Sequence, residues 1–160
     1  MNVVFLDYDG VMNTPMWNAD GTRCSFGLPQ DSKVNNFQCV QWVSEFCQKF
    51  NYSIVVSSTW RLDDNYKECL INGGLRNGIE ILGRTPCLNG ENRGAEIQKY
   101  LTDHPEIINF LIFDDETDIG DLIDHLVECD QNIGFGLTEL YKAERLHKKL
   151  KMKGCMVREL

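Results

Sequence analysis

The sequence predicts an α/β fold with a mainly parallel sheet, and two features support that prediction. Apolar runs of strand length alternate along the chain with segments of helical period, which is the pattern of repeated strand–helix units. Three of the apolar runs end in clusters of polar residues. Because ligands bind beyond the carboxyl ends of the strands in such sheets, we expect these clusters to share one edge of the sheet.

The first part of the chain supplies a strand, a flap and a helix. The first strand is predicted over residues 2–7, which are mostly apolar. Frequent turn-forming residues then predict a flap over about 13–30. Apolar residues recur at spacings of three and four from Val34 to Phe50, which predicts an amphipathic helix with Asp31 or Ser32 as its N-cap.

The rest of the chain continues the alternation of strands and helices. In YSIVVSSTW, a β-branched run that ends in hydroxyls predicts a second strand. Glycines often follow helix ends, and the residue before a proline disfavours the helical conformation, so both help to mark where helices stop. The elements expected next are a helix over 63–72 that stops at Gly73-Gly74, a short strand with Ile79, Ile81 and Leu82, a helix in ENRGAEIQKYL that ends before His104-Pro105, a strand in IINFLIF, and a last helix from Leu137 to Leu150.

Length and composition limit the class of protein. With 160 residues, 42% of them hydrophobic, the chain is predicted to form a single domain over 1–160 with a sizeable core. No apolar run approaches the roughly 18 residues that cross a bilayer, and no signal-peptide pattern is present, so we expect a cytoplasmic protein. The seven cysteines form no C-x-x-C pair. This argues against a zinc site and a disulfide framework, and we expect them to be reduced.

The charge balance limits the class of partner. The chain has 16 basic and 24 acidic residues, for a net charge of −8. Affinity for long nucleic acids comes largely from lysine and arginine, so non-specific binding to them is disfavoured. A phosphorylated end held in a local basic pocket remains compatible with this charge. The oligomeric state stays open.

Two carboxylates, Asp7 and Asp9, stand at the end of the first predicted strand, in VVFLDYDGVMN. Burying such charges is costly unless something pairs with them. The strand predicted in IINFLIF also runs into acids, of which Asp114 is the first. If these three carboxylates converge, their repulsion favours a divalent cation, and an all-oxygen site with few protein ligands suits Mg²⁺.

Hydrogen-bond donors are expected near the same acids. Ser57 and Ser58 follow the second predicted strand, and an arginine near this edge would be a further donor. Such donors beside Mg²⁺ describe a phosphate site, and a carboxylate there can act as the nucleophile of covalent phosphoryl transfer. Arg61, beside Trp60, is interpreted as structural.

Four segments resemble the four motifs of the haloacid dehalogenase (HAD) superfamily, in the family's order. They are VVFLDYDGVMN, IVVSSTWR, NRGAEI and FLIFDDETD, and they extend from residue 3 to about 118. The later segment GFGLTELYKAERL is similar to the tail of the small HAD domains of RNA-repair proteins and related phosphatases. The resemblance implies a three-layer, Rossmann-like core. It also implies no large cap domain, because the chain between Trp60 and Arg93 has room only for core elements.

The resemblance implies roles for the acids. Asp7 would be the nucleophile that forms an aspartyl-phosphate, and Asp9 would be the general acid and base. The Asp7 carboxylate, the Asp9 backbone carbonyl and Asp114 would bind Mg²⁺. Either Asp115 or Asp118 would support this site, and the sequence leaves that choice open.

The resemblance also implies roles for the donors. Ser57 is the best match for the phosphate-binding hydroxyl, and Ser58 is its competitor. Arg93 takes the position where the family has a lysine or arginine, and it would clamp the phosphoryl oxygens and steady Asp7.

The expected activity is phosphomonoester hydrolysis on a large or open-ended substrate. A core without a cap leaves the site open, and the tail resemblance favours a polynucleotide end, with a 3′- or 5′-phosphate, or a nucleotide. A phosphoprotein is the alternative substrate. Met16, Trp17 and Phe26 on the flap are expected to contact the substrate.

Three other functions share some of these features. An EF-hand loop needs glycine at its sixth position, where counting from Asp7 gives Met12. A phospho-accepting receiver domain also uses strand-end aspartates and Mg²⁺, but its acidic pair usually comes first, whereas here it comes last. A non-catalytic binding module with the HAD fold is opposed by the intact set of acids and remains the alternative to an enzyme.

Overall fold

The computed structural model describes residues 1–14 and 37–157. The predicted flap from residue 15 onward, with Met16, Trp17 and Phe26, lies outside the described residues. The predicted N-caps Asp31 and Ser32 lie outside them too. All the predicted site residues are described.

A five-stranded parallel sheet forms the centre of the described structure, in the order β3-β2-β1-β4-β5. This confirms the predicted α/β class. The three inner strands are rich in β-branched and aromatic residues and are almost entirely buried, as expected for strands covered on both faces. The strands are β1 (Asn2–Leu6), β2 (Ser53–Val56), β3 (Ile81–Arg84), β4 (Asn109–Asp114) and β5 (Leu126–Glu128).

Helices cover both faces of the sheet, so the predicted three-layer core is confirmed. Alternate residues of β1 divide the core: Val4 and Leu6 pack into one cluster, and Val3 and Phe5 into the other. The first cluster includes side chains of α1, α2 and α4, and the second includes side chains of α3. The helices are α1 (Phe37–Phe50), α2 (Tyr66–Asn72), α3 (Arg93–Asp103) and α4 (Leu137–Val157).

The chain between Trp60 and Arg93 contains only core elements. It forms the rest of a 3-10 turn over Thr59–Leu62, then α2 and β3. Within the described residues no cap domain is inserted into the core, as the sequence predicts. None of the described helices is both long enough and apolar enough to span a membrane.

The structure differs from the sequence predictions in several elements. The last helix continues beyond Leu150 to Val157. The helix predicted over 63–72 begins at Tyr66, because the chain first forms the 3-10 turn, which Ser58 caps. A second 3-10 turn (Gly120–His125) and β5 were not predicted. β5 has only three residues, which is too short for a periodicity to appear in the sequence.

The strand register brings the strand ends together. Leu6 pairs with Val56 on one side and with Phe113 on the other. The next residues, Asp7 and Ser57, continue this pairing, with backbone N–H groups that donate to Phe113 and Leu6 at 3.0 Å. Asp7, Ser57 and Asp114 are therefore level with one another. By alternation from Phe5, Val55 and Ile112, their side chains lie on the face that α3 covers.

The start of α3 lies unusually close to the chain that follows β4. The Asn92 side chain caps α3 by accepting from the Ala95 N–H at 2.9 Å. A Cβ on Gly94 would lie 2.4 Å from the backbone oxygen of Ile119 and 2.6 Å from its carbonyl carbon. Only glycine allows this approach, and the approach holds the first turn of α3 against the sheet edge.

We therefore expect Gly94→Ala to lower the free energy of unfolding by about 1–3 kcal/mol. The added methyl group meets backbone atoms, which cannot move aside as a flexible side chain can. Urea denaturation followed by circular dichroism measures the effect. Gly83→Ala is the matched control, because a Cβ there has Tyr100 Oη as its nearest neighbour at 3.8 Å. Equal stability of the two variants would contradict the prediction.

Candidate active site

Two buried carboxylates share one guanidinium at the carboxyl edge of the sheet. Asp7 directly follows β1, and Asp114 is the last residue of β4. Arg93, the first residue of α3, lies with its Nη1 2.9 Å from Asp7 Oδ2, and the same nitrogen contacts Asp114 Oδ2. Both carboxylates are buried. The structure thus brings together three residues that the sequence predicted as site residues.

Among the described residues, the charges at this edge are not balanced. Burial and the nearby Asp7 raise the pKa of Asp114 to about 6, although Arg93 acts in the opposite direction. Burial, with Asp7 next, also raises the pKa of Asp115. For Arg93, burial opposes the charged form, but Asp7 and Asp114 more than offset it and raise the pKa of the guanidinium. One guanidinium therefore does not offset three carboxylates, and the site favours binding of a further positive charge.

The residues present fit a hard divalent cation. Asp7, Asp114 and Asp115 each offer a carboxylate oxygen, and these oxygens all lie within 4.8 Å of one another. An all-oxygen donor set with few protein ligands is typical of Mg²⁺, which keeps several of its waters.

Gly10 explains how Asp115 enters this group. Gly10 has a φ of 76°, and a Cβ there would lie 2.3 Å from Asp115 Cγ. The glycine of the D-x-D-G segment therefore provides both the backbone conformation and the space that the Asp115 side chain occupies. Asp118 is not part of the group, and its Oδ1 accepts from Asn92 Nδ2 at 3.2 Å.

Asp9 lies outside the carboxylate group, and its side chain is exposed. Two donors hold it: Trp60 Nε1 is 2.9 Å from Oδ2, and Asn13 Nδ2 is 2.7 Å from Oδ1. Sequence reasoning missed both partners. Asn13, four positions after Asp9, and Trp60, after the hydroxyls, are weak signals in the sequence. Each of these side chains could form many other contacts instead.

The two candidate hydroxyls, of Ser57 and Ser58, differ in their hydrogen bonding. Ser58 Oγ accepts from the Trp60 N–H at 3.3 Å and caps the 3-10 turn. Ser57 is fully buried, and its Oγ has no hydrogen-bond partner among the described residues. A buried hydroxyl without a partner is unfavourable and uncommon in folded proteins. Ser57, level with Asp7, is therefore the hydroxyl that has capacity to bind a further group.

Comparison with known proteins agrees with this geometry. Residues 3–140 match a family model described as the HAD domain in Swiss Army Knife RNA repair proteins. The match extends from β1 into α4, so it includes all five strands and every candidate site residue. Neither the curated proteins nor the solved structures contain a significant match. The family suggests phosphatase-type hydrolase chemistry, and because the match covers most of the chain, the protein belongs to the family of HAD domains in Swiss Army Knife RNA repair proteins.

Proposed function

We propose that this protein is a Mg²⁺-dependent phosphomonoester hydrolase that acts through an aspartyl-phosphate, with residues 1–160 forming one hydrolase domain. One observation carries the proposal: Asp7, Asp114, Asp115 and Arg93 meet at one sheet edge. The Ser57 hydroxyl, which has no hydrogen-bond partner among the described residues, belongs to the same edge. A nucleophile, a cation site and phosphate-binding donors are the parts that such a reaction needs.

In the first step, a carboxylate oxygen of Asp7 attacks phosphorus while the bond from phosphorus to the ester oxygen breaks. Asp9 donates a proton to that oxygen as the alcohol leaves. Arg93, already 2.9 Å from Asp7, and Ser57 Oγ donate hydrogen bonds to the phosphoryl oxygens. Asp7, Asp114 and the Asp9 backbone carbonyl, with support from Asp115, would hold Mg²⁺, which would supply positive charge that offsets the repulsion of the carboxylates and the phosphate dianion.

In the second step, Asp9 takes a proton from a water molecule whose oxygen attacks phosphorus. The bond from phosphorus to Asp7 breaks, and inorganic phosphate leaves. Asp9 suits this exchange of protons with the leaving group and with water because it is exposed, whereas Asp7 is buried. Trp60 and Asn13 hold both oxygens of Asp9 in one orientation across the two steps.

The substrate we propose is a polynucleotide end, with a 3′- or 5′-phosphate, or a nucleotide. The description of the family supports a nucleic-acid substrate, and the absence of a cap domain from the described residues supports a large one. The net charge of −8 opposes binding along a nucleic-acid backbone, so recognition would be local to the phosphorylated end. The same charge favours a phosphoprotein as the second candidate.

The direct test measures phosphate release by the wild type and by Asp7→Asn, with Mg²⁺ and with EDTA. The substrates are p-nitrophenyl phosphate, an oligoribonucleotide with a 3′- or 5′-phosphate, and a phosphopeptide. We expect release only with Mg²⁺, preference for the oligonucleotide, and a loss of about 10³-fold or more in Asp7→Asn, because the covalent route is closed. Asp103→Asn, at an exposed ion pair with Lys99, is the matched control and should match the wild type.

Two outcomes of this test contradict the proposal. Release that continues in EDTA or in Asp7→Asn rules out the mechanism. Release of phosphate from none of the substrates favours the non-catalytic binding module. Preference for the phosphopeptide would keep the mechanism and replace the substrate.

The serines provide a second test. We expect Ser57→Ala to lower kcat/KM by about 10–10²-fold, because it removes a donor to the phosphoryl group and leaves the buried site with one polar atom fewer. Ser58→Ala removes a cap and should lower the free energy of unfolding by about 1 kcal/mol with a smaller kinetic effect. Steady-state kinetics and thermal melting on both variants check this. The opposite pattern would assign the phosphate contact to Ser58.

Cation binding should depend on pH in a defined direction. Without a cation, the raised pKa of Asp114 means that the folded state loses stability as pH rises from about 4 through about 6. A bound cation favours the ionised form, so Mg²⁺ should raise Tm more at pH 7.5 than at pH 5. At about ten times Kd, the expected gain at pH 7.5 is about 3–6 °C.

Thermal melts with MgCl₂ and with EDTA at the two pH values measure this gain. Asp114→Asn and Asp115→Asn should reduce the gain strongly, and Asp118→Asn should retain it. A gain lost in Asp118→Asn but kept in Asp115→Asn would contradict the assignment of Asp115 to the site. A wild type whose Tm does not respond to Mg²⁺ would contradict the cation site itself.

A further inference from the structure

Arg61 and Glu96 form a buried ion pair behind the candidate site. Arg61 Nη2 lies 2.6 Å from Glu96 Oε2, and the two side chains are only 5% and 8% exposed. Removing two charges from water costs free energy that their attraction often fails to return. Stability alone is therefore a weak explanation for this pair, and its contacts give a stronger one.

The guanidinium of Arg61 holds the two peptide groups that flank Ser58. Its Nη1 donates to the carbonyl oxygen of Ser57 at 2.8 Å and to that of Ser58 at 2.9 Å. These two carbonyls belong to the residues that carry the candidate phosphate-binding hydroxyls. Arg61 thus limits the rotation of the backbone that sets the direction of the Ser57 side chain.

Glu96 connects the same guanidinium to α3. It lies in the first turn of that helix, three residues after Arg93. Its second oxygen, Oε1, accepts from the backbone N–H of Leu88 at 3.0 Å, so the carboxylate uses both oxygens. The ion pair therefore joins the chain after β2 to the helix turn that places Arg93.

The contacts do not place Arg61 against a substrate. Both terminal nitrogens already donate to acceptors of the protein, and Nε is buried without a hydrogen-bond partner among the described residues.

We infer that Arg61 and Glu96 are positioning residues that set the spacing between the Ser57 hydroxyl and the Arg93 guanidinium, the two phosphate-binding groups. This inference rests on the proposed function. Lysine cannot replace Arg61, because a single ammonium group lacks the planar fork that donates to two carbonyls and a carboxylate together. A misplacement of about 1 Å in such groups is enough to lower activity about 10²-fold.

The test separates positioning from stability. The variants are Arg61→Lys, which keeps the charge, and the double variant Arg61→Met/Glu96→Leu, which removes both charges together. Replacing a buried ion pair with apolar residues of similar volume is often neutral or stabilising. The double variant also removes the partners of the Ser57 and Ser58 carbonyls and of the Leu88 N–H, so we expect it to fold with a Tm below that of the wild type. Tyr52→Phe is the control, because Tyr52 Oη lies 2.9 Å from His147 Nδ1 in a buried contact at the opposite edge of the sheet.

Four quantities are measured for each protein in Mg²⁺. They are kcat and KM for p-nitrophenyl phosphate, the Kd of inorganic phosphate by calorimetry, and Tm. We expect Arg61→Lys and the double variant to weaken phosphate binding about tenfold and to lower kcat/KM about 10²-fold. We expect Tyr52→Phe to lower Tm while its Kd for phosphate and its KM stay at the wild-type values.

The outcomes distinguish this inference from the proposed function. A folded double variant with wild-type phosphate binding and KM overturns the inference, because the pair would then be structural only. A wild type that binds phosphate but releases none from any ester overturns the proposed function, and weaker phosphate binding in the variants then still supports positioning. A wild type that neither binds nor releases phosphate overturns both.

Discussion

The repulsion between carboxylates at one sheet edge is the constraint on which the rest of the site depends. A parallel sheet aligns the ends of neighbouring strands, so the register of β1 and β4 places Asp7 and Asp114 side by side. Arg93 contacts both carboxylates, but burial and Asp7 still raise the pKa of Asp114 to about 6. The remaining excess of negative charge among the described residues favours a cation at this edge.

Close backbone approach is what allows the charged groups to meet. Gly94 lets the first turn of α3 reach the chain near Ile119, which brings Arg93 to the strand ends. Gly10 leaves the space that the Asp115 side chain fills. Between them, Ser57 keeps a buried hydroxyl without a partner among the described residues. Among the described residues, this edge therefore has a hydroxyl without a hydrogen-bond partner and carboxylates whose charge is not fully offset. Such a pattern is expected where a ligand supplies the missing contacts.

The sequence predicted the features that depend on local pattern. The α/β class, the four helices and the longer strands follow from apolar periodicity, and the resemblance to the HAD superfamily was confirmed by the family match. The three residues of β5 carry too little pattern to be predicted. The choice between Asp115 and Asp118 depends on the path of the chain after β4, which spacing alone does not define.

Contacts between distant parts of the chain also could not be predicted from the sequence. Trp60 and Asp9 are 51 positions apart, and Arg61 and Glu96 are 35 apart. A tryptophan and an arginine beside two serines indicate a structured turn, but only tertiary packing decides that one side chain holds Asp9 and the next holds the serine carbonyls. Interpreting Arg61 as structural agrees with its contacts to the protein. Two of these contacts are to the carbonyls of Ser57 and Ser58, the residues that the family resemblance identifies as candidates for phosphate binding.

The difference in exposure between Asp7 and Asp9 links the chemistry to the shape of the substrate. Under the proposed mechanism, the buried Asp7 would be screened from water until a phosphate occupies the edge, whereas Asp9 would exchange protons with the leaving group and with water. Asp9 faces solvent, so the leaving group of a bound ester would extend outward past Asp9 and Trp60. In this arrangement the protein holds the phosphate closely and the remainder of the substrate loosely. Under the proposed function, this arrangement would let a chain with a net charge of −8 act on the end of a polyanion without binding along its length.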